Sequence, residues 1–331
     1  MPAEKELSNN MAFSYWPRLF CLVLFSLGII QVVLRLLLRV GMPFIDRAIC
    51  RMTARGQERL RFIIPATPHV VALVLALMVI APQYIRNETN PLRERVGIAC
   101  VIGAVAVAMR YLYGMLRAAR LQLRERQAHI FDGVPAVLTG GVQVYISEGA
   151  HPLLAVTGTL SPRIVISRHL LDNPSFSQEL LQIALAHENA HVFHRDNLKH
   201  LVLASLALSR SERERSLRRW RYAAEIAADD DAVAGDSSRA ILLAETLLVA
   251  ARTIPHQGAS VLSLGLRPHE EELNKRIDRL LRDDSISAPA RDPAGRHTMG
   301  ASVLVFAGMC CLLQLFAPSI HKMSEFLLHL G

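Results

Sequence analysis

The stretch from 118 to 297 has no cysteine; all five, Cys21, Cys50, Cys100, Cys310 and Cys311, lie outside it. This excludes a disulfide framework or a thiolate zinc site there, and agrees with a reducing compartment. Aromatic residues are scarce too, at 6%, although 51% of the 331 residues are hydrophobic and the mean hydropathy is +0.27. There is no internal repeat and no small-residue cleavage site after the first apolar stretch, which argues against a repeat architecture and a removed signal peptide. Despite a net charge of +8 there is no recognised nucleic-acid module, so no nucleic-acid partner is expected.

What is present is apolar sequence in four concentrations: 19–34, 62–85, 96–109 and 298–320. A helix crossing a bilayer needs about 20 largely apolar residues. The second and fourth stretches meet this directly, and the first and third do so if Arg35, Arg39 and Arg110 extend their stems toward the headgroups. Membrane helices are expected at about 19–40, 62–85, 96–116 and 299–320. Arg47, Arg51, Arg55, Arg59 and Arg61 follow the first, and Arg117, Arg120, Arg124 and Arg126 the third, so both segments are expected in the cytoplasm. The expected organisation is an N-terminal membrane region (1–117), a cytoplasmic domain (118–297), and a fourth span with a short tail (298–331).

Within the cytoplasmic segment, apolar and polar residues alternate over 134–147 on both sides of Gly140-Gly141, which reads as a hairpin with a primed turn. A short strand is expected at 163–167, either internal to the sheet or free to pair with an extended substrate. Pro174 and Ser175 are expected to open a helix, with Gln178 closing a capping box on Ser175. The basic run 209–221 reads as a solvated helix face, with anionic headgroups as the alternative contact. It precedes a second helix expected near Tyr222, and a last soluble helix is expected at 270–281. The stretch "DDSISAPARDPAGRHT", 283–298, reads as a connector to the fourth span. The fold class expected is a mainly α membrane protein with an α+β domain between its third and fourth spans.

The chemistry concentrates at "AHENAHVFHRD", 186–196, where His187, Glu188 and His191 form His-Glu-x-x-His. Helical residues four apart are rotated by only about 40° and rise about 6 Å, so the two imidazoles can share one ion of Zn2+. Glu188, turned about 100° from His187, suits a general base acting on the metal's water. A third ligand is needed, and "EIAADDDAV", 225–233, supplies Glu225, with Asp229 one turn on to accept from a zinc-bound imidazole. His194, seven residues from His187, is about 10 Å away along the axis and is not expected to share the ion. Asp196 reads as a cap or an arginine partner. Arg276 and Tyr222 are candidate oxyanion stabilisers, with a structural role as the alternative for each.

Together these motifs resemble the gluzincin metallopeptidases, and three spans, a soluble domain and a fourth span look like the BlaR/MecR-type membrane metallopeptidases. "GTLSPRIVIS" (158–167), with Gly158 and Pro162, and Arg195-Asp196-Asn197 after the histidine motif, carry the second likeness. The resemblance covers roughly 15–320 and implies a multi-pass zinc endopeptidase of the bacterial inner membrane, with a gluzincin-type domain facing the cytoplasm and one zinc per chain. It also implies regulatory proteolysis of a protein or peptide substrate, with a separate sensor protein as a conceivable partner. HtpX-like quality control of membrane proteins is the alternative, and a non-catalytic scaffold with a structural zinc site is another. Asn189 replaces the usual small or apolar residue of the motif. The chain ends at Gly331 with no penicillin-binding domain, so β-lactam sensing by this chain is not expected.

Overall fold

The computed structural model describes residues 12–13, 15–87, 94–127, 133–137, 143–148, 154–253, 270–282, 322 and 326. These form a mainly helical protein with a small sheet. Among the described residues three helices are long and apolar enough to cross a membrane: Tyr15–Ile49, Ala54–Arg86 and Ile98–Arg124. The expected fourth span lies outside the described residues, as does the connector before it. The chain divides into two compact units, one containing residues up to Ala48 and Ile64–Tyr113, the other Ile49–Ile63 and Gly114–Asp292.

In the first unit, strand β1 (Ala12–Phe13) leads into α1 (Tyr15–Ile49), and α2 (Ala54–Leu75) enters from the second unit. A π-helical turn over Ala76–Ile80 then joins α2 to α3 (Ala81–Asn87). Its physical reason lies two residues beyond: Pro82 has no N–H for an α-helical bond, and the ladder shifts so that the Ala81 N–H reaches the Ala76 carbonyl. Strand β2 (Glu94–Arg95) pairs antiparallel with β1 before α4 (Ile98–Gln127) begins. This pairing puts the start of α1 and the segment between the second and third long helices at the same end of the unit. Gly28 faces Val107 and Gly103 faces the Phe25 ring, so a side chain at either glycine would collide with the opposite helix. Bulky apolar side chains such as Phe20, Val33, Leu37, Ile102 and Met109 point outward, the arrangement expected of helices surrounded by lipid.

The second unit contains a four-stranded sheet of β3 (Val134–Val137), β4 (Gln143–Ser147), β5 (Leu154–Thr157) and β6 (Arg163–Ser167), in spatial order β3-β4-β6-β5. The β4–β6 pair is parallel and the other two are antiparallel. The expected hairpin is therefore present, but Val137 pairs with Gln143. That register leaves an odd number of residues between the strands, whereas a two-residue primed turn at Gly140-Gly141 requires an even one; the turn itself lies outside the described residues. The strand at 163–167 is internal, with both edges paired, so strand addition to it is closed off. Val144, Leu154, Val156, Ile164 and Ile166 form the apolar layer against which the helices pack.

Five longer helices follow the short α5 (Arg168–Leu171): α6 (Gln178–His194), α7 (Asp196–Ser205), α8 (Arg210–Val233), α9 (Ser237–Thr253) and α10 (Glu270–Leu280). The capping of α6 differs from expectation. Ser177 is the N-cap, accepting from the Leu180 N–H, while the Ser175 N–H is held by the Asn173 side chain in the preceding turn. The second helix also starts earlier than the neighbourhood of Tyr222, because Ser209 and Glu212 form a full capping box and the basic run is the first half of α8. Alanines at 223, 224, 227, 228 and 232 line the buried face of α8 and let it approach its neighbours closely. Leu180, Ile183 and Ala184 of α6, with Leu243 and Leu247 of α9 and Leu280 of α10, complete the core.

Candidate metal centre

The metal-binding residues expected from the motifs come together in the second unit. His187 and His191 stand one turn apart on α6, and Glu225 reaches them from α8; one ligand atom from each lies within 4.8 Å of the others. The two Nε2 atoms are 3.3 Å apart. Glu225 places Oε2 3.5 Å from Nε2 of His187 and Oε1 3.7 Å from Nε2 of His191. Donor atoms about 2.0–2.1 Å from one tetrahedral ion are separated by about 3.3–3.4 Å; the two Nε2 atoms match that spacing, and a different oxygen of Glu225 faces each of them. All three side chains are buried. Such a buried His-His-Glu group can hold a metal ion.

Each imidazole is oriented from behind by a carboxylate. Nδ1 of His187 lies 3.0 Å from Oδ1 of Asp229, and Nδ1 of His191 lies 2.8 Å from Oδ2 of Asp196. A carboxylate at Nδ1 keeps the proton there and turns the Nε2 lone pair toward the ion. The expectation for Asp229 was of this kind. Asp196 neither caps nor pairs with an arginine, the roles its sequence context suggests, but faces His191, and its place there depends on the backbone between them. Arg195 adopts the left-handed conformation (φ 52, ψ 45), ending α6 and starting α7 at once. In an uninterrupted helix a residue five positions after His191 would be rotated about 140° away from it.

Arg276 of α10 lies beneath the ligands, fully buried. Its Nε and Nη2 donate to the two oxygens of Asp229 at 2.8 and 2.6 Å, and its Nη1 is 2.8 Å from Oε2 of Glu225. All three guanidinium nitrogens thus face carboxylates. Tyr222, the other candidate oxyanion stabiliser, is half-buried one turn before Glu225 on α8. His194 stands apart from the cluster, 3.1 Å from Asp231, and Asn189 is exposed.

The charge balance shifts every titratable group in this centre. Burial opposes a charged His187, but the Asp229 and Glu225 carboxylates outweigh it and push its pKa up to about 10. His191 is raised in the same way, burial being overcome by Asp196 and Glu225. Asp196, although buried, is held down at about 2 by His191 and Lys199. Glu225 and Asp229 are lowered against burial, chiefly by Arg276 and then His187. Glu188 is the exception, a fully buried carboxyl raised by desolvation, and neither of its oxygens has a hydrogen-bond partner among the described residues. A carboxyl free of partners next to two ligand histidines is available to take and return a proton.

Compared with family models, curated proteins and solved structures, the chain matches none.

Proposed function

We propose that this chain is an integral-membrane, zinc-dependent endopeptidase of the BlaR/MecR-like type. The observation that carries the reading is the ligand triangle of His187, His191 and Glu225, with a carboxylate behind each histidine and a partnerless buried Glu188 beside it. Two imidazoles and a carboxylate favour zinc over harder cations such as calcium or magnesium. Bound zinc would polarise the scissile carbonyl and acidify a water.

This chain's own residues do the rest. Glu188 takes the proton from the attacking water and returns it to the departing amine, closing the proton cycle as the C–N bond breaks. Asp229 and Asp196 hold the histidines in the Nδ1–H form. Arg276 holds Glu225 and Asp229 in place, and with all its nitrogens on carboxylates it acts through them; Tyr222 remains the candidate for stabilising the oxyanion. The three long apolar helices support a multi-pass location and the arginine bias supports a cytoplasmic catalytic unit; the resemblance to the BlaR/MecR-type peptidases is what points to a bacterial inner membrane. The substrate in this reading is a cytoplasmic or membrane-associated protein, cleaved for regulation, with a separate sensor protein as a conceivable partner.

Comparative N-terminal proteomics of cells expressing wild type or Glu188→Gln tests the reading. New protein N-termini should appear with the wild type and fall by at least about 100-fold with the variant, the typical worth of a general base. Identical sets of termini would refute it.

A further inference from the structure

We propose that Glu58, near the start of α2, is a positioning residue for the metal centre, acting on His191 through Lys199 and Asp196. This rests on the reading that His187, His191 and Glu225 hold the catalytic ion. Glu58 belongs to the part of α2 that folds with the second unit, yet it lies in a helix that continues as an apolar span, Ala54–Arg86.

The geometry is a continuous row of charge-assisted contacts. The Glu58 side chain is fully buried, and its Oε1 accepts from Nζ of Lys199 at 2.9 Å and from Nε1 of Trp220 at 2.9 Å. Arg55 lies on the other side, with Nη1 3.6 Å from Oε2. Nζ of Lys199 also donates to Oδ1 of Asp196 at 2.9 Å, and the other oxygen of Asp196 meets Nδ1 of His191 at 2.8 Å.

Adhesion between these helices does not require that charge. Phe62, Leu203, Leu206, Leu217 and Trp220 already form an apolar cluster at the same place. Burying a carboxylate is costly unless it is paired, and replacing a buried ion pair as a whole by apolar groups is often neutral for stability. What the carboxylate adds is a fixed position for the Lys199 ammonium between two acids. Lys199 is a flexible side chain; held from both sides, it occupies only one oxygen of Asp196 and leaves the other aligned on His191. Without Glu58 the ammonium moves onto Asp196 alone or out to solvent, and the histidine loses its orienting partner. A displacement of α2 would therefore reach a metal ligand through two side chains.

The test uses full-length protein in nanodiscs, stripped of metal and titrated with Co2+, whose visible absorption reports four-coordinate binding. Wild type, Glu58→Gln, Lys199→Met and the double variant are compared for Co2+ affinity and dissociation rate, with circular dichroism confirming the fold of each. An orienting partner of a ligand is worth about 10- to 100-fold in metal affinity, so one step further out we expect about three- to tenfold for each single variant. The double variant should be no weaker than the weaker single, because both act along one row. Wild-type affinity in Glu58→Gln, or losses that multiply in the double variant, would overturn the proposal while leaving the functional reading intact. Absence of Co2+ binding by the wild type would overturn both. Should Glu58→Gln fail to fold, Trp220→Phe removes one donor to Glu58 without changing charge; weaker Co2+ binding supports the proposal and unchanged binding contradicts it.

Discussion

The two units solve the burial of polar groups in opposite ways. In the first unit the buried polar side chains among the described residues are Arg18, Ser26, Gln31, His69 and Gln83, with no carboxylate. Helices there meet through Gly28 and Gly103, and the apolar surface is turned outward. The second unit buries Glu58, Glu188, Asp196, Glu225 and Asp229 together with His187, His191, His200, Arg213 and Arg276. A compact unit does not need so much buried charge for stability, since apolar replacements of buried ion pairs are often at least as stable. In the proposed reading the charged interior is a working part, whose cost is tolerated where the surrounding helices and sheet over-determine the geometry.

The largest effect on this contrast is expected from removing the buried cation. Arg276→Met leaves Asp229 and Glu225 uncompensated and should destabilise the second unit by about 3–5 kcal/mol. Chemical denaturation followed by tryptophan fluorescence checks this through Trp220, which is buried in the second unit. A loss below about 1 kcal/mol would show that the charges are not coupled as described. Next, Asp196→Asn should weaken metal binding about 10- to 100-fold while leaving the fold intact, read by competition with a chelating dye.

The pH dependence has a definite sign. Because the His187 pKa is raised to about 10, the metal-free protein carries that proton at neutral pH and must release it on binding. Apparent affinity should rise with pH by about tenfold per unit for each proton released, and for the His187 proton level off above about 10. Calorimetry in buffers of different ionisation enthalpy counts the protons; release of none would contradict the shift. The metal-free fold runs the other way. The raised pKa contributes stability fully below about 6.5, and that contribution is lost as the pH climbs through 10. The smallest effect belongs to the first unit, where Gly103→Val should cost about 1–3 kcal/mol by overpacking against Phe25. Metal affinity should not change, because neither residue touches the metal centre.

Much of the centre was legible because it is written in helical spacing. His187 and His191 one turn apart, and Glu225 with Asp229 one turn apart on another helix, need no tertiary knowledge to be placed on common faces. Asp196 was not legible from spacing, since its position depends on a left-handed residue that is an arginine. Nothing in its identity signals that conformation, which glycine and asparagine usually supply. The start of α8 carried a signal that charge obscured: Ser209 followed by Glu212 is a capping box, hidden in a run read for its basic residues. Neither β5 nor α9 was anticipated, and Glu58 could not be linked to the centre, because its partners Lys199 and Trp220 lie more than a hundred positions away.

The most direct test is the metal content of the purified full-length protein, measured by mass spectrometry beside His191→Ala and Glu225→Ala. The account predicts one zinc per wild-type chain, and less than about a tenth of that in either variant after dialysis against a weak chelator. Wild-type protein free of zinc, or variants that retain it in full, would contradict the account.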